Sequence, residues 1–247
     1  MTVGYTRKRG YMKKIFLALA MASFLTSACT TTKIKETTNN FTAVKNPIML
    51  VLDPDVEAQA ILVSGVFETR ADWSLDARNN MEDALKTVLA GKSSNVKIVS
   101  LSGNLTSRQQ QIIKLNDAVA LASLTHDYGQ TFKLPTKKDA FDRTIGPGAK
   151  ALADGTGADY ALKLVAAGHY NSTGGQLKNI ASLVSVAAIG VGPGLQFGEQ
   201  TVFASLIDTQ TGDVVWSNRA SNLGGSDMRK PEGAVSLIED VLKGFPL

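Results

Sequence analysis

Three acidic residues, Asp53, Asp55 and Glu57, alternate directly after an apolar run. Their spacing makes them a candidate metal-binding group. Alternate residues of an extended chain point to one side, where three carboxylates could hold a divalent cation. An EF-hand loop needs further oxygen ligands and a glycine in register, and neither is present. We interpret the three acids as a solvated turn and predict no metal site.

The two histidines, His126 and His169, are the other side chains that could act as bases. Two histidines cannot form a His-rich zinc site, and the single cysteine cannot complete one. No G-x-S-x-G or H-E-x-x-H motif accompanies them. The sequence therefore predicts no catalytic residues and no cofactor. A hydrolase that uses His126 or His169 with nearby acids remains as the second alternative.

A glycine-rich stretch, Gly190-Val-Gly192-Pro-Gly194, resembles half of a dinucleotide-binding fingerprint. Leu195 stands where the third glycine is needed, and the chain continues with strand-like residues, which argues against nucleotide binding. Residues 181–195 are apolar and small, which indicates a segment packed on a sheet. The alternative is that residues 176–200 face lipid or neighbouring copies of the chain.

The N-terminal segment has the layout of a secretory signal peptide. Lys13 and Lys14 precede an apolar run of 11 residues (15–25), and small residues at 26–28 lead to Cys29. The run is too short to cross a bilayer, which takes ~20 residues. Small residues directly before a cysteine resemble a lipobox, so we predict a signal peptide over residues 1–28, with Met12 as the better start, and lipidation of Cys29 by acyl chains such as palmitate.

The charge of the chain changes once this signal is removed. Five of the 26 Lys and Arg residues precede Cys29 and no acid does, leaving 21 basic against 22 acidic residues. A near-neutral domain gives no electrostatic case for nucleic-acid binding. Residue 30 is Thr rather than Asp, and the sorting rule of enterobacterial lipoproteins then implies the periplasmic face of the outer membrane, with the inner membrane as the less favoured alternative.

The pattern of apolar residues predicts one α/β domain over residues 46–247, behind a polar, flexible tether at 29–45. We expect a mixed β-sheet of about five strands with about four packed helices. Strands are predicted at 47–52, 60–67, 96–101, 157–165, 201–208 and 213–218. Helices are predicted from Trp73 or Ser74 to Gly91, after a Ser107/Gln110 capping box, over 147–155, and from Pro231. The polar residues 126–145 are interpreted as a surface insertion.

The helical periodicity also predicts which residues are buried. The expected core positions of these helices are Ala77, Met81, Ala84, Leu85, Val88 and Leu89 in the first, Ile112, Leu115, Val119 and Ala122 in the second, and Ala234, Leu237, Ile238, Val241, Leu242 and Phe245 in the last. Trp73 and Trp216 are the two tryptophans, and either, if exposed, would mark an interaction surface.

Two segments together carry a resemblance to known families. They are Gly157-Ala-Asp-Tyr-Ala-Leu162 and the hairpin Ser205-Leu-Ile-Asp208-Thr-Gln-Thr-Gly212-Asp213-Val-Val-Trp216. The pairing resembles envelope lipoproteins with the fold shared by the TolB N-terminal domain, the curli secretion lipoproteins and the penicillin-binding-protein activator lipoproteins. The resemblance implies a non-enzymatic accessory or scaffold role in the cell envelope, with another envelope protein or peptidoglycan as partner. Its alternative is a subunit of a curli-type secretion or pore assembly, as a homo-oligomer.

Overall fold

The computed structural model describes residues 30–36, 41–62, 64–92, 95–101, 105–128, 142–171, 199–223 and 226–247. The strands are β1 (Thr30–Glu36), β2 (Ile48–Val51), β3 (Asp55–Ile61), β4 (Phe67–Thr69), β5 (Lys97–Val99), β6 (Tyr160–Asn171), β7 (Glu199–Asp208) and β8 (Val214–Leu223). The helices are α1 (Ala71–Lys92), α2 (Ser107–His126), a 3-10 helix (Pro147–Ala153) and α3 (Pro231–Val241).

All strands of the described residues belong to one mixed sheet. Six follow the order β1-β8-β7-β6-β2-β5, and β3 branches from β6 and pairs antiparallel with β4. The long strand β6 pairs in parallel with β2 over its first half and with β3 over its second half. The pairs β6-β7, β7-β8 and β8-β1 are antiparallel. The predicted mixed α/β fold is therefore confirmed, with eight strands where about five were expected.

The predicted strand at 60–67 is wrong, because this stretch contains a turn. Strand β3 ends at Ile61 and β4 starts at Phe67. The Leu62 and Val66 backbones close the turn with a 2.9 Å hydrogen bond, and Gly65 adopts φ 82°. Glycine adopts a positive φ without steric strain, so Gly65 allows the chain to reverse direction within the apolar run.

One face of the sheet is covered by α1 and α3, which together form the larger core. The predicted buried residues of α1 are all buried, and so are Ala234, Leu237, Ile238, Val241 and Leu242 around α3. These helices pack on alternate residues of β6, including Leu162 and Leu164, and on Trp216 of β8. The periodicity of both helices thus predicted their orientation correctly.

The other face is covered by α2 and the 3-10 helix. The predicted N-cap of α2 is wrong by one residue. The N-cap of α2 is Thr106, whose side chain accepts a hydrogen bond from the Gln109 N–H, rather than Ser107 with Gln110. The buried stripe of α2 contains Gln109, Ile112, Asn116, Ala120 and Ser123. Leu115, predicted as a core residue, is 44% exposed. A polar stripe at core positions cannot be recognised by apolar periodicity.

The N-terminal segment adds a strand that the sequence did not predict. Residues 30–36 of the expected tether pair with β8 from Thr30↔Asn222 to Glu36↔Trp216. Threonine and isoleucine are branched at Cβ and favour extended backbone, although a Thr-rich segment also has the composition of a linker. In the expected surface insertion at 126–145, Tyr128 and Ile145 at the described ends are buried, and residues 129–141 lie outside the described residues.

Candidate interaction surface

The first turn of α1 is fixed to the sheet by β3. The Arg70 N–H donates to the Ala58 carbonyl at 2.9 Å, and the Ala58 N–H donates to Ser74 Oγ at 2.9 Å. The Ser74 hydroxyl in turn donates to the Arg70 carbonyl at 2.8 Å. These bonds place Arg70 and Trp73 at the end of the sheet, next to the second half of β3.

Trp73 lies half-buried between two arginine side chains and a tyrosine. The guanidinium of Arg70 lies 4.8 Å from the indole centroid, and that of Arg229 lies 4.4 Å from it. The Tyr170 ring meets the indole edge to face at 5.9 Å, and Arg229 lies 3.7 Å from the Tyr170 ring centroid. Cation–π contacts of this kind contribute about 0.5–2 kcal/mol each. We call Arg70, Trp73, Tyr170, Asp227 and Arg229 the Trp73 surface.

Each arginine of the Trp73 surface is paired with an aspartate two residues away. Arg70 holds Asp72 through bonds of 3.1 and 2.9 Å, and Arg229 holds Asp227 through bonds of 2.9 and 2.8 Å. The hydrogen bond from Arg70 lowers the pKa of Asp72. Burial would raise the pKa of Asp227, but the bonds from Arg229 outweigh it and lower that pKa. The surface therefore carries oriented charges that locally cancel.

A buried glutamine fixes the loop that carries Arg229. Gln200 Oε1 accepts from the Tyr170 hydroxyl at 2.9 Å and from the Met228 N–H at 2.8 Å. Its amide nitrogen donates to the Ser226 carbonyl. One side chain from β7 therefore connects the Tyr170 ring to the backbone of the loop that carries Arg229.

The metal and base candidates of the sequence do not form a site. Glu57 accepts from the Thr69 hydroxyl at 2.6 Å and from Gln59 Nε2 at 2.9 Å, and these two bonds lower its pKa. No group of three metal-ligating side chains occurs among the described residues. His169 packs against the Phe67 ring at 4.8 Å, and His126 lies in the last turn of α2, on a different element.

Trp216 is not a surface residue, which corrects one of the two tryptophan predictions. Its exposed fraction is 0%, and its ring meets Phe245 edge to face at 5.3 Å. The strand alternation of β8 turns it toward α3, into the larger core. Cys29 and the glycine-rich segment at 181–195 lie outside the described residues, so their assignments stay predictions.

A polar layer lies beneath α2. Lys163 Nζ donates to the Asp53 carbonyl at 2.8 Å and borders a cavity of about 140 Å³, together with Leu105 and Ile113. Burial raises the pKa of Asp117 on the same helix. Small-molecule sites usually enclose about 300–1,000 Å³. The cavity beside Lys163 is smaller than such sites, and we interpret the layer as structural.

The outward face of α2 carries an apolar ridge, of which the sequence analysis placed Leu115 in the core. Leu115 and Leu121 are 44% and 65% exposed, and Ala118 between them is exposed as well. Residues at i, i+3 and i+6 follow one ridge of a helix surface. We call these three residues the leucine ridge. No helix among the described residues is long and apolar enough to span a membrane.

The arginine–aspartate pairs were missed by the sequence analysis, which considered single residues. Both have the same spacing, as Arg70-Ala-Asp72 and Asp227-Met-Arg229; the first spans the start of α1 and the second ends two residues before α3. An acid and a base two residues apart at a helix start is a readable signal. The sequence could not indicate that the two pairs meet at one tryptophan, because they are far apart along the chain.

Comparison with known proteins finds distant structural likeness only. The chain is similar to two structures of the PelC dodecamer from Paraburkholderia phytofirmans. The point variant in space group C2 is 16% identical, the match covers 87% of this chain and 96% of that chain, and the TM-score is 0.37. The structure in space group P6 is 15% identical, the match covers 87% of this chain and 95% of that chain, and the TM-score is 0.35. It is also similar to the LpoB C-terminal domain from Salmonella enterica, with 15% identity, a match that covers 72% of this chain and 84% of that chain, and a TM-score of 0.31. No family model and no curated protein matches. These values support only a distant resemblance to the fold group of envelope lipoproteins named in the sequence analysis.

Proposed function

We propose that this protein is a non-enzymatic lipoprotein of the cell envelope, held at Cys29 and presenting its α/β domain to another envelope protein. The sequence up to Cys29 supports export and acylation, and several acyl chains suffice for stable anchoring. Thr30 supports the outer membrane as the location. An accessory role needs a surface that contacts a partner, and the leucine ridge supports one.

The leucine ridge is the observation that carries the partner role. On α2 individual positions depart from the usual arrangement, with Asn116 buried to 1% exposure and Leu121 65% exposed. Burying a leucine side chain is worth about 1.5–3 kcal/mol, so leaving two in water forgoes a substantial gain in stability. A partner protein that covers the ridge recovers this gain on binding.

Site-specific crosslinking in cells tests the proposal. A photo-crosslinking residue replaces Leu121 in the full-length chain, and the control carries it at Thr87, an exposed position of α1. We expect one envelope protein to be captured from position 121 and not from 87. A second substitution, Leu115→Lys in the same chain, is expected to reduce the capture strongly, because it charges the ridge. Equal capture from both positions would contradict the proposal.

The same experiment addresses the alternative of a self-assembled secretion or pore subunit. The leucine ridge fits a second copy of the chain as well as a different protein, since either would cover the exposed side chains. Crosslinks from position 121 that contain this chain alone would favour the oligomer. Loss of all crosslinks in a Cys29→Ala variant would show that either contact depends on the anchor.

A further inference from the structure

The domain begins immediately at the predicted anchor, which leaves no linker between lipid and fold. Strand β1 starts at Thr30, one residue after Cys29, and Thr30 is already paired with Asn222 of β8. This inference rests on the proposed function, since it takes Cys29 to be acylated. Acyl chains on Cys29 would hold the edge of the sheet at the bilayer surface, and the end of the sheet where β1 begins would face the membrane.

The rungs of the sheet show which residues share that end. Thr30 pairs with Asn222, Asn222 with Gln200, and Gln200 with Gly168. Gly168 pairs in turn with Ala58 of β3. Neighbouring strands are about 4.8 Å apart, so Gln200 lies about 10 Å and Ala58 about 19 Å from Thr30.

On this rung, Gln200 and Ala58 are the residues that hold the Trp73 surface in place. The Gln200 side chain bonds the backbone at 226 and 228, which fixes the loop of Arg229. Ala58 bonds the first turn of α1, which carries Arg70 and Trp73. Sheet twist of about 20–25° per strand pair turns the strand axes progressively along the rung, so this end of the sheet is a twisted edge rather than a flat one. The Trp73 surface therefore lies on the same end of the domain as the anchor.

We propose that the Trp73 surface rests on the phospholipid headgroup layer. Tryptophan is favoured at membrane–water interfaces because its ring is apolar and its N–H is polar. Guanidinium groups donate to phosphate oxygens. Because Asp72 and Asp227 cancel the charges of Arg70 and Arg229, the surface suits zwitterionic headgroups and does not depend on anionic lipid. Its occupant is a lipid surface rather than a protein.

Tryptophan quenching by brominated phospholipid tests this contact with the full-length acylated chain. The protein is reconstituted into phosphatidylethanolamine/phosphatidylglycerol vesicles that contain phosphatidylcholine brominated near the headgroup. The chain has two tryptophans, and a Trp73→Phe variant leaves only the buried Trp216, which provides the background. In that variant, Gln210→Trp adds a reporter in the exposed turn between β7 and β8, at the opposite end of the sheet.

We expect Trp73 to lose at least half of its fluorescence, and the tryptophan at 210 to lose almost none. Equal quenching of the two positions, or an unquenched Trp73 in acylated, vesicle-bound protein, would overturn the inference and leave the proposed anchor intact. Intact mass of the protein reports acylation separately. A chain that carries no acyl group on Cys29 would overturn the proposed function, and this inference with it.

Discussion

The buried ion pair between Asp127 and Arg143 provides the sharpest test of how the α2 layer is held. Two hydrogen bonds of 2.8 and 2.7 Å join the carboxylate to the guanidinium, and the side chains are only 9% and 10% exposed. Asp127 is the C-cap of α2, and the Arg143 carbonyl accepts from the Val214 N–H at the start of β8. The pair therefore connects the end of α2 to the sheet.

Replacing Arg143 by methionine keeps the apolar stem and removes the charge. Asp127 is then left buried without its partner, which for such pairs costs about 3–5 kcal/mol of unfolding free energy. For a domain of this size that corresponds to a decrease in melting temperature of roughly 6–20 °C. The double variant Asp127→Asn/Arg143→Met removes the stranded charge, so we expect it to be more stable than Arg143→Met alone.

Thermal unfolding of residues 30–247, followed by circular dichroism, measures both effects. The control is Lys86→Met on α1, whose partner Glu82 is 2.8 Å away but whose own side chain is 65% exposed. Exposed pairs contribute about 0–1 kcal/mol, so this variant should melt close to the wild type. If Arg143→Met melts no lower than Lys86→Met, or if the double variant is less stable than Arg143→Met, the reasoning fails.

Two further pairs of variants test the local structure. Thr106→Ala should lower the unfolding free energy by about 0.5–2 kcal/mol because Thr106 is the N-cap of α2. Ser107→Ala is the control and should have almost no effect. Denaturant unfolding measures the midpoint of each variant. Gly212→Ala should destabilise much more than Gly155→Ala. Both have positive φ, 82° and 78°, but an added Cβ at Gly212 would lie 2.0 Å from the Gly146 carbonyl oxygen, and at Gly155 it meets nothing within 4 Å. Similar melting temperatures for these two glycine variants would refute that difference.

The sequence predicted the half of the fold that depends on apolar periodicity. Helices α1 and α3 bury apolar stripes, and Met81, Leu85 and Leu237 were placed correctly because burial and hydrophobicity coincide there. On α2 they do not coincide. The same rule placed Ile112 correctly but predicted the exposed Leu115 as buried and missed the buried Asn116. A rule based on hydrophobicity fails where an apolar side chain is exposed and a polar one is buried.

The candidate surfaces were harder to predict than the helices, since they depend on residues brought together by the sheet. Trp73 and Trp216 look equivalent in the sequence, but strand alternation buries Trp216 against Phe245. Trp73 lies in the first turn of α1, where the nearby Arg70 and the sequence-distant Arg229 both meet its ring. Long-range pairing of this kind leaves no local pattern in a single sequence.

The two proposed contact surfaces lie on different sides of the sheet, which makes them compatible. The Trp73 surface is built by the first turn of α1 and the loop before α3, which cover one face. The leucine ridge belongs to α2, which covers the opposite face. A domain held at the membrane through its anchor and Trp73 would therefore keep Leu115 and Leu121 free for a partner. Binding at the ridge need not displace the membrane contact, which is the arrangement that an anchored accessory protein requires.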